Sequence, residues 1–353
     1  VCSVVVATCF LGVTTSYAEE QAENSEPREE RVETSNAGDQ GKEEKTVNEH
    51  QEESEQSSSA ISEKENRAVS QGTEASQPAT SLDEETEIAD YGPLPSKAQM
   101  QYHREELAAF IHFGMNTYYD REWGDGQEDP YYFYPENLDT DQWIKTLKDA
   151  GFKRTIMVVK HHDGFLLYPS KYTDHTIAKS GWKDGKGDVL AEVSASASKY
   201  DMDMGVYLSP WDAHSPLYHV DTEDQYNEYY LNQLKEILGN PKYGNNGKFI
   251  EVWMDGAKGS GAGYQEYDFK KWFDTIQQYE GIAGNQVDDC MLFGAEAYTT
   301  VRWIGNENGF AAEETWSKSN VDKEKNTINS NSSGGYTKGF PDGNQWTVPE
   351  ADA

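Results

Sequence analysis

Short apolar runs alternate with longer amphipathic stretches from about Tyr91 onward. The apolar runs predict strands, and the amphipathic stretches between them predict helices. The predicted strands cover residues 107–113, 155–159, 204–208, 249–254, 290–293 and 301–304. The predicted helices cover residues 140–150, 188–200, 223–238 and 267–279. This repeated alternation is typical of βα units, in which helices pack outside a parallel sheet.

The predicted fold is therefore α/β, a (β/α)8-like (TIM-type) barrel. Such a barrel needs eight strands, whereas the pattern supplies six. Residues 346–353 have neither a helical nor a strand pattern. We therefore expect a barrel that is truncated at its C-terminal end and has an open sheet edge.

The first 90 residues have a different pattern. An apolar run at 4–13 is too short to anchor the chain in a bilayer, and small residues follow it. We interpret residues 1–18 as part of a signal peptide, cleaved after Ala18. If so, Cys2 and Cys9 leave with it and Cys290 stays as a single thiol, so stability must come from packing and not from disulfides.

Residues 19–90 contain 22 acidic and 6 basic residues, and no Phe, Trp or Tyr. Such a segment buries too little apolar surface to offset its ordering entropy, which predicts a disordered acidic spacer; a charged, solvated helix is the alternative. The catalytic domain then spans 91–353. The net charge of the whole chain is −33, which argues against nucleic acid or an anionic membrane as a partner.

Polar residues with catalytic potential follow the predicted strands. Five strand ends carry His112, His161-His162-Asp163, Ser209-Pro210-Trp211-Asp212, Asp255 and Glu307. In a barrel these ends share one face, where catalytic groups gather. Adjacent histidines at a strand end favour a site, although a simple Asp163-Gly164 turn is the alternative.

Two carboxylates suit acid–base and nucleophilic chemistry. Asp255 directly follows a strand that would fix its backbone, although Asp255-Gly256 also fits a plain turn. Glu307, some fifty residues on, could face the same cavity. The distance between two such carboxylates separates retaining glycosidases (about 5–5.5 Å) from inverting ones (roughly 6.5–9.5 Å).

Aromatic residues favour a sugar substrate. Their flat faces pack against the C–H face of a pyranose while His, Asp and Glu bind its hydroxyls. Candidates near the mouth are Trp123, Trp211, Trp253, Trp303 and Tyr207. We favour a ligand role for Trp123, which lies in a loop, and a core role for Trp253, which lies inside a strand.

We predict no metal and no cofactor. His161 and His162 are adjacent, so they cannot share a helical face, and the chain has neither a His-Glu-x-x-His motif nor a Cys pair suited to zinc. The glycine-rich stretch 256–263 lacks the phosphate-binding pattern of a P-loop.

Four motifs in order resemble the α-L-fucosidases of glycoside hydrolase family 29. They lie at 110–114, at 160–165 with 172–174, at 206–212 and at 252–256. The resemblance implies a barrel that hydrolyses terminal α-linked fucose with retention of configuration. It matches Asp255 to the nucleophile. It matches the fucose pocket to His112, Glu122, Trp123, His161, His162, Tyr207 and Arg302, and Trp211 is a further candidate in the same motifs.

The segment 301–307 resembles the branch of this family that prefers α-1,3- and α-1,4-linked fucose on Lewis-type glycans. That resemblance makes Glu307 the acid/base, with Glu296 and Glu350 as reserves. Arg302 is a candidate to keep a carboxylate of the site ionised.

The expected partners are fucosylated oligosaccharides or glycoproteins, and the expected location is secreted or bound to a bacterial cell wall, with no membrane insertion after signal cleavage. No oligomeric state is predicted. The alternative function is an inactive surface protein that binds carbohydrate for adhesion. A glycosidase for another sugar is a weaker possibility, since the residues alone do not distinguish fucose from galactose.

Overall fold

The computed structural model describes residues 4–9, 92–220, 223–256, 258–259, 265–280 and 290–352. The predicted acidic spacer lies outside the described residues, as does most of the predicted signal peptide. Within the described part, the centre of the molecule is a closed sheet of eight parallel strands. In chain order these strands are β1 (Val4–Cys9), β2 (Leu107–Ile111), β3 (Arg154–Lys160), β4 (Asp203–Leu208), β5 (Glu251–Trp253), β6 (Met291–Phe293), β7 (Val301–Trp303) and β13 (Val348–Asp352).

The α/β barrel and all six predicted strands are confirmed. The expected open edge is wrong for the described residues, because β1 pairs with β13 on one side and with β2 on the other. Val4 lies opposite Glu350, and Val5 lies opposite Leu107. β1 is the apolar run that we interpret as the core of a signal peptide, and that interpretation stays a prediction.

Six helices lie in the described residues. They are α1 (Lys97–Glu105), α2 (Met115–Tyr119), α3 (Thr140–Asp149), α4 (Val189–Tyr200), α5 (Glu223–Leu238) and α6 (Phe269–Glu280). α3 and α4 begin as the sequence predicts: the carboxylates of Asp139 and Asp188 each accept a backbone N–H, at 2.9 Å in both cases. None of the described helices is long and apolar enough to cross a membrane.

A small β-rich insertion separates β7 from β13, and the sequence pattern did not predict it. It contains the sheet β12-β8-β9 and the hairpin β10-β11, with strands β8 (Lys318–Asp322), β9 (Thr327–Asn329), β10 (Ser332–Ser333), β11 (Tyr336–Thr337) and β12 (Gln345–Trp346). Four short 3₁₀ turns complete the described secondary structure, at Pro130–Tyr132, Ile177–Lys179, Trp182–Gly185 and Glu296–Tyr298.

The register of β3 against β4 decides which side chains reach the barrel mouth. Val158 lies opposite Tyr207, but the next partner of β4, Leu208, lies opposite Lys160, so β3 has a bulge between Val158 and Lys160. The bulge shifts the alternation of side chains. Lys160 therefore points outward, where it binds Gln233 of α5 at 2.9 Å, and His161 lies at the mouth beside His112 and Tyr207.

Candidate active site

The ends of β2, β3, β4 and β5 bring five predicted site residues together. The ring centroid of His161 lies 5.9 Å from that of His112 and 5.9 Å from that of Tyr207. His162 lies beside His161, with 4.3 Å between the ring centroids. Asp255 follows β5 and reaches the same group. These residues are far apart in the sequence, and the parallel sheet gathers them at one edge.

Asp255 is held by hydrogen bonding but stays open to solvent. Its Oδ2 accepts a hydrogen bond from the hydroxyl of Tyr207 at 2.9 Å, and the Nε2 of His162 lies 3.9 Å from the same oxygen. The side chain is 29% exposed, so part of the carboxylate faces the cavity. A carboxylate that is oriented through one oxygen and open to a ligand is suited to nucleophilic attack.

The three imidazoles at the mouth are neutral at physiological pH. Burial lowers the pKa of His112 to about 4, although the nearby charge of Asp255 acts in the opposite direction. Burial, together with repulsion from the other two imidazoles, lowers the pKa of His161 to about 3. Burial and the charge of Lys160 lower the pKa of His162 to about 4. Neutral imidazoles can accept as well as donate, which suits them to sugar hydroxyls.

The tautomer of His162 follows from its contact with Ser209. The Ser209 hydroxyl donates to the carbonyl of Trp211 at 2.8 Å, so its single proton is already used. The Nδ1 of His162 lies 2.7 Å from the same hydroxyl and must therefore be the donor. Nε2 is left as a lone pair beside Asp255, available to accept a hydrogen bond from a ligand hydroxyl.

Two tryptophans form an apolar wall beside the histidines. The ring of Trp211 stacks on His162, with 4.5 Å between centroids and 24° between planes. Trp123 contacts Trp211 edge to face at 6.2 Å and is 59% exposed. Gly259 lies against Trp211 with a φ of +73°, and a Cβ there would come within 2.4 Å of the indole. The loop thus needs glycine to approach this wall closely.

Trp253 and Trp303 instead belong to the interior. Trp253 stacks on Phe293 with 3.5 Å between centroids, and both tryptophans pack on the core cluster inside the barrel. The core role predicted for Trp253 is confirmed, and Trp303 packs on the same cluster and hydrogen-bonds to Asp352.

Glu307 is the second carboxylate that reaches this region. Burial raises its pKa, and the charges of Glu122 and Asp255 raise it further. The backbone carbonyl of Glu122 accepts a hydrogen bond from the Asn116 side chain at 3.1 Å, which fixes the loop that carries Glu122 and Trp123. A carboxyl whose pKa is raised by a neighbouring carboxylate has the properties of a general acid.

Asp352 is a further carboxylate of this region, and the sequence pattern did not predict it. It lies at the end of β13, and the charge of Glu307 is one cause of its raised pKa, after burial. Ser209 and Asn116 were also not recognised as supports of the histidines and of the Glu122 loop. Asp352 is the last residue of its strand, and Pro349 and two carboxylates make this stretch unlike the apolar runs of the other strands.

The two reserve acid/base residues do not fit as well. Glu350 is fully buried inside the barrel, where it accepts hydrogen bonds from the Tyr102 hydroxyl and from the indole of Trp253. Glu296 is largely exposed in the 3₁₀ turn after β6; partial burial raises its pKa, and the charge of Lys258 opposes that rise. Neither shares the electrostatic contact with Asp255 that Glu307 has.

Arg302 does not lie beside a carboxylate. Its guanidinium donates to the carbonyl and hydroxyl of Thr337 and to the carbonyl of Trp316. None of its hydrogen bonds within the described chain reaches a pocket residue, so the suggested role of keeping a site carboxylate ionised is wrong here. The physical reason is alternation along β7: Val301 and Trp303 face the interior, and Arg302 faces the β-rich insertion.

Comparisons with known proteins agree with this geometry. The family model described as alpha-L-fucosidase matches residues 94–330. The chain is 42% identical over 260 residues to Alpha-L-fucosidase 1 of Arabidopsis thaliana, which covers 74% of this chain and 48% of that protein.

Solved structures are similar as well. A GH29 fucosidase of Ruminococcus gnavus, in complex with fucose, is 57% identical, with a TM-score of 0.69 over 75% of this chain and 55% of that one. A glycoside hydrolase 29 family member from an unknown rumen bacterium is 33% identical, with a TM-score of 0.62 over 74% and 46%. The chain spans about half the length of the relatives it matches. On the family match and these identities, the chain belongs to the α-L-fucosidase family, glycoside hydrolase family 29.

Proposed function

We propose that this chain forms the catalytic part of a retaining exo-α-L-fucosidase. The observation that carries the proposal is the setting of Asp255: a partly exposed carboxylate at a strand end, bonded to Tyr207 and faced by neutral imidazoles. The similar protein from Ruminococcus gnavus binds fucose, which supports the same sugar here. The proposed partners are fucosylated oligosaccharides or glycoproteins.

In the proposed reaction, Asp255 attacks the anomeric carbon of fucose while the bond from that carbon to the leaving oxygen breaks. Glu307, protonated at first, gives its proton to that oxygen. Asp255 then carries fucose as an ester. Glu307, now ionised, removes a proton from water, the water oxygen attacks the same carbon, and fucose leaves with its α configuration retained.

The remaining mouth residues would orient the sugar. The Tyr207 hydroxyl donates to Oδ2 of Asp255 and so orients the carboxylate for attack. The lone pair on Nε2 of His162 would accept a hydrogen bond from a sugar hydroxyl, and Trp123 and Trp211 would pack against the apolar face of the ring. In this proposal His112, His161 and Glu122 bind further hydroxyls. Arg302 remains a predicted sugar contact only through the family resemblance.

Proton NMR of the first turnover tests both activity and stereochemistry. With an aryl α-L-fucoside, the proposal predicts that the α anomer of fucose appears first and then mutarotates. Initial release of the β anomer would contradict retention. Binding of fucose without release of any free sugar would instead favour the surface carbohydrate-binding alternative.

We further propose a preference for α-1,3- and α-1,4-linked fucose. The motif at 301–307 supports this preference. The open surroundings of Glu307 support it too, since Phe310 on the same loop is 65% exposed and Trp316 is 45% exposed. An open mouth with exposed aromatic rings suits a branched glycan. The test compares release of fucose from a Lewis trisaccharide with release from an α-1,2-linked fucosyllactose, and a faster reaction of the second would refute the preference.

Secretion, or attachment to the bacterial cell wall, is likewise proposed from the apolar run at 4–13 and the small residues after it. N-terminal sequencing of protein from a culture medium tests this proposal. A mature chain that begins at Glu19 supports cleavage after Ala18. A mature chain that keeps Val4–Cys9 would mean that β1 is a permanent barrel strand.

A further inference from the structure

Three buried ionisable side chains meet directly behind the proposed fucose pocket. They are Glu128, Asp163 and His175, which are 3%, 1% and 2% exposed. Each offers one ligand atom, and these three atoms lie within 4.8 Å of one another. Some point between three atoms at this spacing lies within about 2.8 Å of all of them, so a small inward shift of the side chains would give the bond lengths of roughly 2.0–2.6 Å found around bound cations.

Two of the three residues have an unpartnered polar atom. The Oε2 of Glu128 and the Nε2 of His175 have no hydrogen-bond partner, although both atoms are buried. The Oδ1 of Asn116 is also buried without a partner. A Cβ built on Gly124 would meet both this oxygen, at 2.7 Å, and Oε1 of Glu128, at 2.5 Å. Since buried polar groups are almost always satisfied, several unsatisfied ones at one place indicate a missing ligand.

The protein balances the charges at this place only in part. Arg121 is the cation that approaches Glu128, but it stays 3.6 Å away and its side chain is 47% exposed. Lys160 is buried nearby, but it bonds to Asp212 and Gln233. Two buried carboxylates without a close, buried counter-ion are costly, and a divalent cation would neutralise them.

We propose that Glu128, Asp163 and His175 bind a divalent transition-metal cation, for which Zn²⁺ is the probe. One imidazole nitrogen with two carboxylates is a donor set that suits Zn²⁺ or Mn²⁺, whereas Ca²⁺ and Mg²⁺ prefer oxygen alone. The Asn116 oxygen is the candidate for a fourth ligand. This proposal departs from the sequence-based prediction of no metal, which considered only neighbouring histidines and sequence motifs.

The site would stabilise the pocket and take no part in the chemistry. Asp163 directly follows His162, and Gly124 directly follows Trp123. The Nδ2 of Asn116 holds the Glu122 carbonyl and lies 3.5 Å from Nδ1 of His161. A bound cation would thus join the loops that carry four of the predicted sugar contacts.

The test uses chelator-treated wild-type protein and two variants. Glu128→Gln removes a charged ligand with little change of shape. Asp174→Asn is the matched control, because it lies next to His175 and its side chain is 88% exposed. Each protein is incubated with Zn²⁺ and freed of unbound metal, and its metal content, its affinity for Zn²⁺ and its Tm are measured. Anomalous scattering at the zinc absorption edge then locates the bound metal in crystals.

We expect one Zn²⁺ per wild-type chain, an anomalous peak between the three side chains and a raised Tm. The Asp174→Asn variant should behave in the same way, and Glu128→Gln should weaken Zn²⁺ binding by at least the roughly 10–100-fold that loss of an outer-shell partner costs. The proposal is overturned if the wild-type protein retains no metal, if the anomalous peak lies elsewhere, or if Glu128→Gln binds as tightly as the wild type.

Discussion

The mouth of the barrel and its interior both contain carboxylates beside aromatic and polar side chains, yet they differ in what those carboxylates can reach. In the interior, Arg154 bonds to Glu251 at 2.9 Å and to Glu105 at 2.8 Å. Glu350 accepts from Trp253 at 3.2 Å and from Tyr102. At the mouth, Asp255 has the Tyr207 hydroxyl on one oxygen and an open side toward the cavity.

Buried carboxyl groups that specify structure thus differ from exposed carboxyl groups that can react. Burial and the nearby charge of Glu251 raise the pKa of Glu350 to about 8, so a strongly shifted pKa is present at a residue that no substrate touches. A perturbed pKa is therefore not enough to identify a catalytic residue. Position at a strand end and access to solvent distinguish Asp255 and Glu307 from Glu350.

The strongest test of the difference between the two regions is to replace one carboxylate in each region by its amide. Asp255→Asn should lower kcat on an aryl α-L-fucoside by about 10⁴-fold or more, because no nucleophile remains to form the ester. Glu350→Gln should change kcat by less than about threefold, because its hydrogen bonds can be kept and no substrate reaches it. Steady-state kinetics of both variants gives the ratio.

A large loss of activity in Glu350→Gln, with normal folding by circular dichroism, would contradict the claim that the interior carboxyl group takes no part in catalysis. Full turnover by Asp255→Asn would refute the nucleophile assignment.

The next test concerns the acid/base. Glu307→Gln should lower kcat by about 10²–10⁴-fold on a natural glycan, because the leaving oxygen is no longer protonated. The loss should be smaller on an aryl fucoside with a good leaving group, and azide should restore turnover of that substrate. Glu296→Gln, another exposed carboxylate at a strand end, is the matched control and should keep most of its activity.

If azide rescues Glu296→Gln and not Glu307→Gln, the acid/base is Glu296 and not Glu307.

A smaller effect is expected from the support of His162. Ser209→Ala removes the acceptor that fixes the His162 tautomer, so Nε2 no longer presents a lone pair in every molecule. We expect kcat/KM to fall by roughly 5–30-fold, equivalent to the loss of one hydrogen bond of about 1–2 kcal/mol. Ser194→Ala, in α4 and away from the mouth, controls for loss of a buried hydroxyl, and an equal fall in that variant would contradict the role of Ser209.

The smallest effect is on stability and concerns the interior. Because the pKa of Glu350 is about 8 in the folded barrel and near its ordinary value of 4.5 when unfolded, the folded state holds the proton more tightly. This contribution to stability is full below about pH 4.5 and is lost as the pH rises through about 8.

Glu350→Gln has no such proton to lose. The Tm of Glu350→Gln minus the Tm of the wild type should therefore increase by a few degrees as the pH is raised from about 5 to about 9. The lowered pKa values of the histidines affect both proteins equally and cancel in the difference. A difference in Tm that does not change with pH would show that Glu350 is not protonated in the folded barrel.

The barrel and most of the mouth could be predicted from the sequence because both depend on local signals. Apolar runs define six strands, and a polar residue after each run marks the edge where ligands bind. β13 could not be recognised, because Pro349 and Glu350 are typical of a loop. Only the folded structure shows that β7 pairs with this stretch and that Tyr102 and Trp253 donate to Glu350.

Two further features also depend on tertiary structure. The direction of the Arg302 side chain depends on side-chain alternation in β7, which has only three residues. The outer face of β7 contacts the β-rich insertion, which was not predicted. The cluster of Glu128, Asp163 and His175 joins loops separated by up to 47 positions, and no short motif records that proximity.

The central claim is that Asp255 forms a covalent bond to fucose, and trapping that intermediate tests it most directly. A fucosyl fluoride with fluorine at C2 slows the hydrolysis of the ester, so the labelled protein can be digested and analysed by mass spectrometry. The proposed mechanism predicts one fucosyl label per chain, on the peptide and the carboxylate of Asp255. A label on Glu307 or Glu350, or rapid turnover of this reagent with no label on any residue of the wild-type protein, would contradict it.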